Sequence, residues 1–180
     1  MVNLISTSPT RAKILQEFGI DFKQIKFDFD ESKIKKNNPK IYSYNVVCEK
    51  LNQFKNANLN LDNLLFADSC VVCNNEILGK AIDKNEAFKM LKMQSENFAS
   101  VITSMIFISK KMQIFDVSET KIKFLKFYDE DLQNYIQSED WRGKAGAMMI
   151  EGFNKKYIDK INGEICVARG LNAKILKAFL

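Results

Sequence analysis

Val2-Asn3-Leu4-Ile5-Ser6-Thr7-Ser8-Pro9-Thr10-Arg11-Ala12-Lys13-Ile14-Leu15 opens this chain of 180 residues. Val2 to Ile5 reads as a short apolar strand, and Ile14, Leu15 and Phe18 recur at helical spacing. Pro9 suits the first helical position because its ring fixes φ and leaves no N–H unpaired, and Ser8 before it can cap the helix. The order is strand, turn, helix. Open backbone N–H groups at the helix start, hydroxyls and the Arg11 guanidinium then share one turn, which is a place that attracts phosphate. The same residues equally suit a plain helix cap that binds nothing.

Outward from this turn, strands and helices alternate along the chain. Phe22, Ile25, Phe27 and Phe29 nearly alternate with Lys23, Lys26 and Asp28, which predicts a half-buried strand ending at the acidic pair Asp30-Glu31. A lysine- and asparagine-rich loop, Ser32 to Lys40, leads through Pro39 into a helix carrying Tyr42, Val46, Val47, Lys50 and Leu51. Leu64 to Ala67 reads as a short strand stopping at Asp68, followed by a hairpin of Val71 to Cys73 and Glu76 to Leu78 around Asn74-Asn75. Asp83 and Glu86 form a capping-box-like start for a helix with Ala87, Met90 and Leu91. Phe98 to Ile108 and Ile114 to Phe127 read as two long strands of one hairpin, and Asp129 to Ser138 as a helix with an acidic first turn. Without repeat or linker, this mixture predicts a single α/β or α+β domain over residues 1–180.

Composition excludes several classes. A hydrophobic share of 46% with 27% charged residues is ordinary for a globular chain, and a chain of this length buries roughly 70% of its unfolded surface. No segment approaches the roughly 18 uninterrupted apolar residues of a membrane span, and no apolar signal core follows a basic start, so a cytoplasmic location without membrane contact is expected. The net charge of +5 comes from lysines spread along the whole chain; with no basic stripe interleaved with aromatics, stable nucleic-acid binding is not expected. Cys48, Cys70, Cys73 and Cys166 sit in apolar or strand-like surroundings and read as reduced thiols. The Cys70-x-x-Cys73 pair lacks a second pair or any histidine to complete a zinc site.

Polar residues that interrupt apolar elements carry the chemical signal: Glu31 and Asp68 at strand ends, Lys50 inside a helix, Lys80 after Leu78-Gly79. Carboxylates and cations at element ends are what phosphoryl chemistry requires, the former to hold a divalent metal and orient water, the latter to neutralise phosphates.

In this order and spacing the chain resembles the Maf nucleoside triphosphate pyrophosphatases. Their Ser-x-Ser-Pro-x-Arg is similar to Ser6 to Arg11, their paired acids to Asp30-Glu31, and their Leu-Ala-x-x-Lys helix to Val46-Val47-x-x-Lys50. Ala67-Asp68-Ser69 resembles their Ala-Asp-Thr, and Leu78-Gly79-Lys80-Ala81 their Leu-Gly-Lys-Pro. Lys144-Ala145-Gly146 with Glu151-Gly152, and the closing Gly170-Leu171-Asn172, complete the series. Ala81 and Asn172 stand where the family has prolines, and Met148-Met149 where it usually has small or aromatic residues.

The resemblance implies a Maf/ITPase-like mixed sheet with flanking helices, two lobes around a central cleft, and a homodimer. It implies a hydrolase that splits a nucleoside triphosphate, non-canonical or modified, into the monophosphate and pyrophosphate with Mg²⁺ or Mn²⁺, in a house-cleaning role. By position, Asp68 would be the general base, Glu31 with Asp68 would hold the metal, and Lys50 and Lys80 would grip phosphate oxygens. Ser6, Ser8 and Arg11 would complete the phosphate cradle. Thr10, Ser69 and Glu151 occupy the positions that set base preference: the branch preferring dTTP and UTP usually carries Arg, Thr and Gln there, and the 7-methyl-GTP branch Trp, Gln and Glu. Glu151 and the following Gly152-Phe153 resemble the second branch, Ser69 leans to the first, and Thr10 fits neither. A catalytically weak nucleotide-binding regulator of cell division is the alternative reading.

Overall fold

The computed structural model describes residues 1–57 and 60–180. Its framework is a seven-stranded mixed sheet in the order β2-β1-β3-β5-β6-β7, with β4 added beside the far end of β3. β1 (Val2–Ile5), β2 (Phe22–Ile25) and β3 (Leu64–Cys73) run parallel, whereas β4 (Glu76–Leu78), β5 (Phe98–Ile108), β6 (Gln113–Phe124) and β7 (Ile158–Asn162) add antiparallel pairings. α1 (Pro9–Glu17) and α2 (Pro39–Asn56) follow β1 and β2, and α3 (Lys84–Gln94), α4 (Asp129–Ser138), α5 (Ile165–Ala168) and α6 (Ala173–Phe179) complete the helices of the described residues.

Burial divides the core into three clusters. On one face of the β1/β3/β5 region, α1, α5 and α6 cover Leu4, Leu65, Ala67 and Met105. On the other face, α2 lays Val47, Leu51 and Phe54 over Ile5, Phe66 and Ile106. At the far end of β3, the cluster around Trp141, Phe124 and Phe127 is built from α3, α4 and the segment 145–157. A cleft lies where these clusters meet.

The first turn forms as its residues dictate. Pro9 begins α1, and the Ser8 side chain accepts from Arg11 N. Asp83 likewise caps α3 by accepting from Glu86 N, while Glu86 reaches back one residue beyond the cap, to Ile82 N. Free thiols are found at all four cysteines. Cys70 and Cys73 sit on one strand at an odd spacing, so their side chains leave opposite faces and cannot share a ligand.

Three strand boundaries differ from the sequence pattern. The run at Leu64 does not stop at Asp68: β3 continues through Asp68 and Ser69 to Cys73 because β5 pairs with it without a break, from Leu64↔Ile108 to Cys73↔Ala99. β2 ends at Ile25 rather than at Glu31, since β1, its one partner among the described residues, ends at Ile5. Phe27 and Phe29 then pack with Phe54 and Phe66 as an aromatic cluster, and Glu31 lies in a loop. β6 ends at Phe124, where β5 has already begun; Phe127 turns into the core instead, its N–H donating to Ser95 Oγ.

Gly146 joins the far lobe to β4. Its N–H donates to Gly79 O at 2.8 Å beside an antiparallel bridge between Lys80 and Ala145. At φ +62°, with Val71 Cβ 2.9 Å from where its own Cβ would stand, residue 146 tolerates no side chain. Gly143, at φ +72°, has no neighbour in that space and isolates the conformational cost alone. Gly146→Ala is expected to lower unfolding stability by about 1–3 kcal/mol, and by more than Gly143→Ala, in urea titrations at unchanged m-value.

Candidate active site

The cleft owes its position to a gap in the sheet. β1 pairs with β3 only at Leu64 and Leu65, and β4 begins to pair at Val71, so between them this edge of β3 carries no strand. Asp68 and Ser69 lie in that interval. Adjacent residues of a strand point to opposite faces: Asp68 is turned to α2, and Ser69 to the side of α1 and the Gly170 loop. A cleft of about 580 Å³ opens around them, lined by Ser6, Ser8, Thr10, Arg11, Glu31, Lys50, Asp68, Ser69, Lys80 and Glu151. All ten residues singled out in the sequence therefore face one space.

Lys50 is its electrostatic centre. It occupies the buried face of α2 with Ser43, Val46, Val47, Leu51 and Phe54, and only 8% of it is exposed. Its ammonium lies 2.8 Å from Asp68 Oδ1 and 2.8 Å from Glu31 Oε1, and 5.7 Å from the centre of the Phe29 ring. Glu31 Oε2 and Asp68 Oδ2 make no contact among the described residues. Tyr42 stands two helical turns earlier on the same face, in the field of both carboxylates. Burial first, then Asp68 and Glu31, push its phenol up to about 12, so it remains a proton donor at neutral pH.

Arg11 is held from three sides. Nε donates to Gly170 O at 2.9 Å, Nη1 to Ser6 Oγ at 3.3 Å and Nη2 to Ser69 Oγ at 3.5 Å. Burial draws its guanidinium below the ordinary arginine value while Asp68 and then Glu31 oppose that shift. Ser69 Oγ is also 2.8 Å from Thr103 Oγ1, and Thr103 donates to Val167 O at 2.8 Å. A carbonyl can only accept and Thr103 has one proton, so Ser69 donates to Thr103 and turns its lone pairs towards Arg11. Proton direction along Arg11, Ser69, Thr103 and Val167 is thereby determined.

The turn itself is braced from behind. Gln24 Nε2 donates to Ser6 O at 2.8 Å and Ser8 O at 3.2 Å, so both carbonyls are held by one side chain. At the start of α1 the N–H groups of Ser8 and Arg11, which no helical turn satisfies, are met by Ser6 Oγ and Ser8 Oγ, and these hydroxyls line the cleft together with the Arg11 guanidinium. Gln24 and the buried Thr103 carry no signal in the sequence, being ordinary polar residues of strands. Arg142, Lys144 and Arg169 also line the cleft. Arg142 is paired with Glu139 and Arg169 with Glu17, each through two hydrogen bonds, whereas Lys80 and Lys144 form no ion pair among the described residues. Lys144 falls within the Lys-Ala-Gly motif that the sequence displays.

No described helix is long and apolar enough to cross a membrane. The family model described as Maf-like protein matches residues 1–180. The chain is 37% identical over 183 residues to a nucleoside triphosphate pyrophosphatase of Campylobacter jejuni, covering 100% of both chains. It is 43% identical over 179 residues to one of a Nitratiruptor species, covering 98% of this chain and 96% of the relative. To one of Helicobacter pylori it is 32% identical over 175 residues, at 97% and 92% coverage. With a full-length family match and the motif residues gathered around one cleft, the chain belongs to the Maf family.

Proposed function

We propose that this chain is a hydrolase converting a nucleoside triphosphate to its monophosphate and pyrophosphate, water attacking the α-phosphorus. The observation that carries this reading is the Asp68 carboxylate, held by Lys50 at 2.8 Å in the gap of the sheet and facing the same cleft as Ser6, Ser8 and Arg11. Asp68 accepts the proton of the attacking water through one lone pair of Oδ2, the other remaining for a metal ion. Arg11, Ser6 and Ser8 cradle phosphate oxygens at the start of α1, and Lys80, which lines the same cleft, grips further phosphate oxygens. Lys50 positions Asp68 before the substrate arrives and has phosphate oxygen as a further partner afterwards.

A divalent ion fits the donor set. Glu31 and Asp68 each keep one uncommitted carboxylate oxygen, and the described residues contain no cluster of three or more metal-ligating side chains. Two hard oxygen donors with open positions suit Mg²⁺ or Mn²⁺, which complete their shells with water and phosphate oxygens. Glu31 and Asp68 would hold the ion; bound there, it would polarise a phosphoryl oxygen and neutralise charge.

Thr10, Ser69 and Glu151 line the same cleft and are assigned to the base. Glu151, a carboxylate, accepts from the N1–H and exocyclic amine of a guanine edge, where an amide would both donate and accept. A cytoplasmic homodimer acting on non-canonical or modified nucleotides completes the reading, supported by the family resemblance.

Purified protein with Mg²⁺ or Mn²⁺ is expected to release pyrophosphate from at least one member of a panel of ordinary and modified triphosphates. Asp68→Asn is expected to lower kcat by about 10²–10⁴-fold, and EDTA to abolish turnover until metal is restored. Turnover unaffected by Asp68→Asn would overturn the role given to this residue. Glu151→Gln is expected to change the kcat/KM ratio between guanine-type and pyrimidine triphosphates by about tenfold or more. Thr103→Val, which removes the hydroxyl that orders Ser69 against Arg11, is expected to raise KM with an apparent loss of about 1–3 kcal/mol, and Thr103→Ser to restore it.

A further inference from the structure

The loop between Glu31 and α2 carries Lys33, Lys35 and Lys36, and one of these reaches across to Gly79. Lys36 Nζ lies against Gly79: a Cβ at residue 79 would stand 2.9 Å from it. Gly79 does not have a left-handed φ, so a methyl group there would meet only the movable end of the Lys36 side chain. Gly79 immediately precedes Lys80, whose backbone bridges Ala145 next to Lys144. Lys36 thus spans from the loop that carries Glu31 to the rim that carries Lys80.

Nothing on the protein explains that reach. Lys36 forms no ion pair and no hydrogen bond through its ammonium among the described residues. An ammonium on a flexible exposed stem is most stable fully hydrated and away from like charge; next to Gly79, one residue from the cation Lys80, it is stabilised when an anion joins the two. The charge of the cleft points the same way. Lys50 is already engaged by both carboxylates, and Arg142 and Arg169 each by a glutamate. Lys80 and Lys144, which form no ion pair among the described residues, and Arg11, held by a carbonyl and two hydroxyls, are left to meet the several negative charges of a triphosphate.

We infer that Lys36 is a further substrate-binding residue, which closes the loop of residues 31–38 onto the two phosphates that leave as pyrophosphate. This rests on the reading of the cleft as a triphosphate site. Lys36 touches the leaving group and takes no part in activating water, so it acts on binding more than on the chemical step. Gly79 keeps the space open for its ammonium.

The test compares Lys36→Gln with Lys35→Gln in steady-state pyrophosphate release, with product inhibition measured separately for pyrophosphate and for the nucleoside monophosphate. Lys36→Gln is expected to raise KM and the pyrophosphate inhibition constant by about three- to tenfold, the range of a partly exposed charge-assisted contact. kcat and inhibition by the monophosphate stay within about twofold of the unsubstituted protein, and Lys35→Gln changes neither constant beyond that margin. Gly79→Ala, whose methyl group displaces the ammonium, is expected to reproduce the loss, and the double variant Gly79→Ala/Lys36→Gln to be no weaker than Lys36→Gln alone. Equal constants for Lys36→Gln and Lys35→Gln would overturn the assignment while leaving the pyrophosphatase reading intact. An unsubstituted protein that neither turns over any triphosphate nor binds pyrophosphate in calorimetry would overturn both.

Discussion

The structure around the cleft depends on the burial of one ammonium group. Removing Lys50 from water costs several kcal/mol unless anions compensate it, and two do: Asp68 from the middle of β3 and Glu31 from the loop beyond β2. Because each distance is 2.8 Å, the three elements cannot shift independently without leaving a charge unpaired. α2 is thereby registered against β3, and the loop is tied down at its acidic end although its lysines are exposed. The aromatic cluster of Phe27, Phe29, Phe54 and Phe66 lies beneath, excluding water from one side of the ammonium. Lowered dielectric strengthens the pairing it surrounds.

Around this trio, each remaining group is held by structure rather than by a free side-chain choice. Arg11 is fixed by a backbone carbonyl and two hydroxyls, and one of those hydroxyls is ordered by a third that is wholly buried. Gln24 fixes two carbonyls of the turn. Such preorganisation means the protein does not reorient dipoles when charge develops on a phosphate, which is where electrostatic catalysis obtains most of its effect. The gap between β1 and β4 makes this possible, because a strand there would have used the backbone edge and stood between the faces to which Asp68 and Ser69 point.

Much of this was legible in the residues. Helix starts at Pro9, Pro39 and Asp83 follow from local capping chemistry that needs no distant partner. The polar interruptions Glu31, Lys50, Asp68 and Lys80 stand out because an apolar element carries no charge without a partner. What failed was the extent of β3, since reading Asp68 as a strand end assumes that a carboxylate must leave the sheet. Its actual partner, Lys50, comes from another element, and nothing near Asp68 in the chain announces it. The ends of β2 and β6 were set by where their neighbours begin and end, which is a property of pairing and not of composition. Thr103 and Gln24 were silent for a related reason: a hydroxyl or amide acquires a role only from the groups that the fold brings to it. The closing elements β7, α5 and α6 carry too short and too mixed a pattern to read, yet Gly170 in the turn before α6 supplies the carbonyl that holds Arg11.

The unbroken ladder between β3 and β5 has one more consequence, for how such a chain can vary in length. Along β3 the two faces alternate strictly, so Asp68 meets α2 and Ser69 meets α1 by parity of position alone. A single residue gained or lost within β3 before Asp68 would exchange those faces, sending the carboxylate towards Arg11 and the hydroxyl towards Lys50. Insertions and deletions are therefore confined to places with no parity to keep, such as the β5–β6 turn at Ser109 to Met112, closed by its own hydrogen bonds and far from the charged trio. In evolutionary terms, the strand behaves as a ruler whose graduations cannot be renumbered, and length drifts only where the chain turns back.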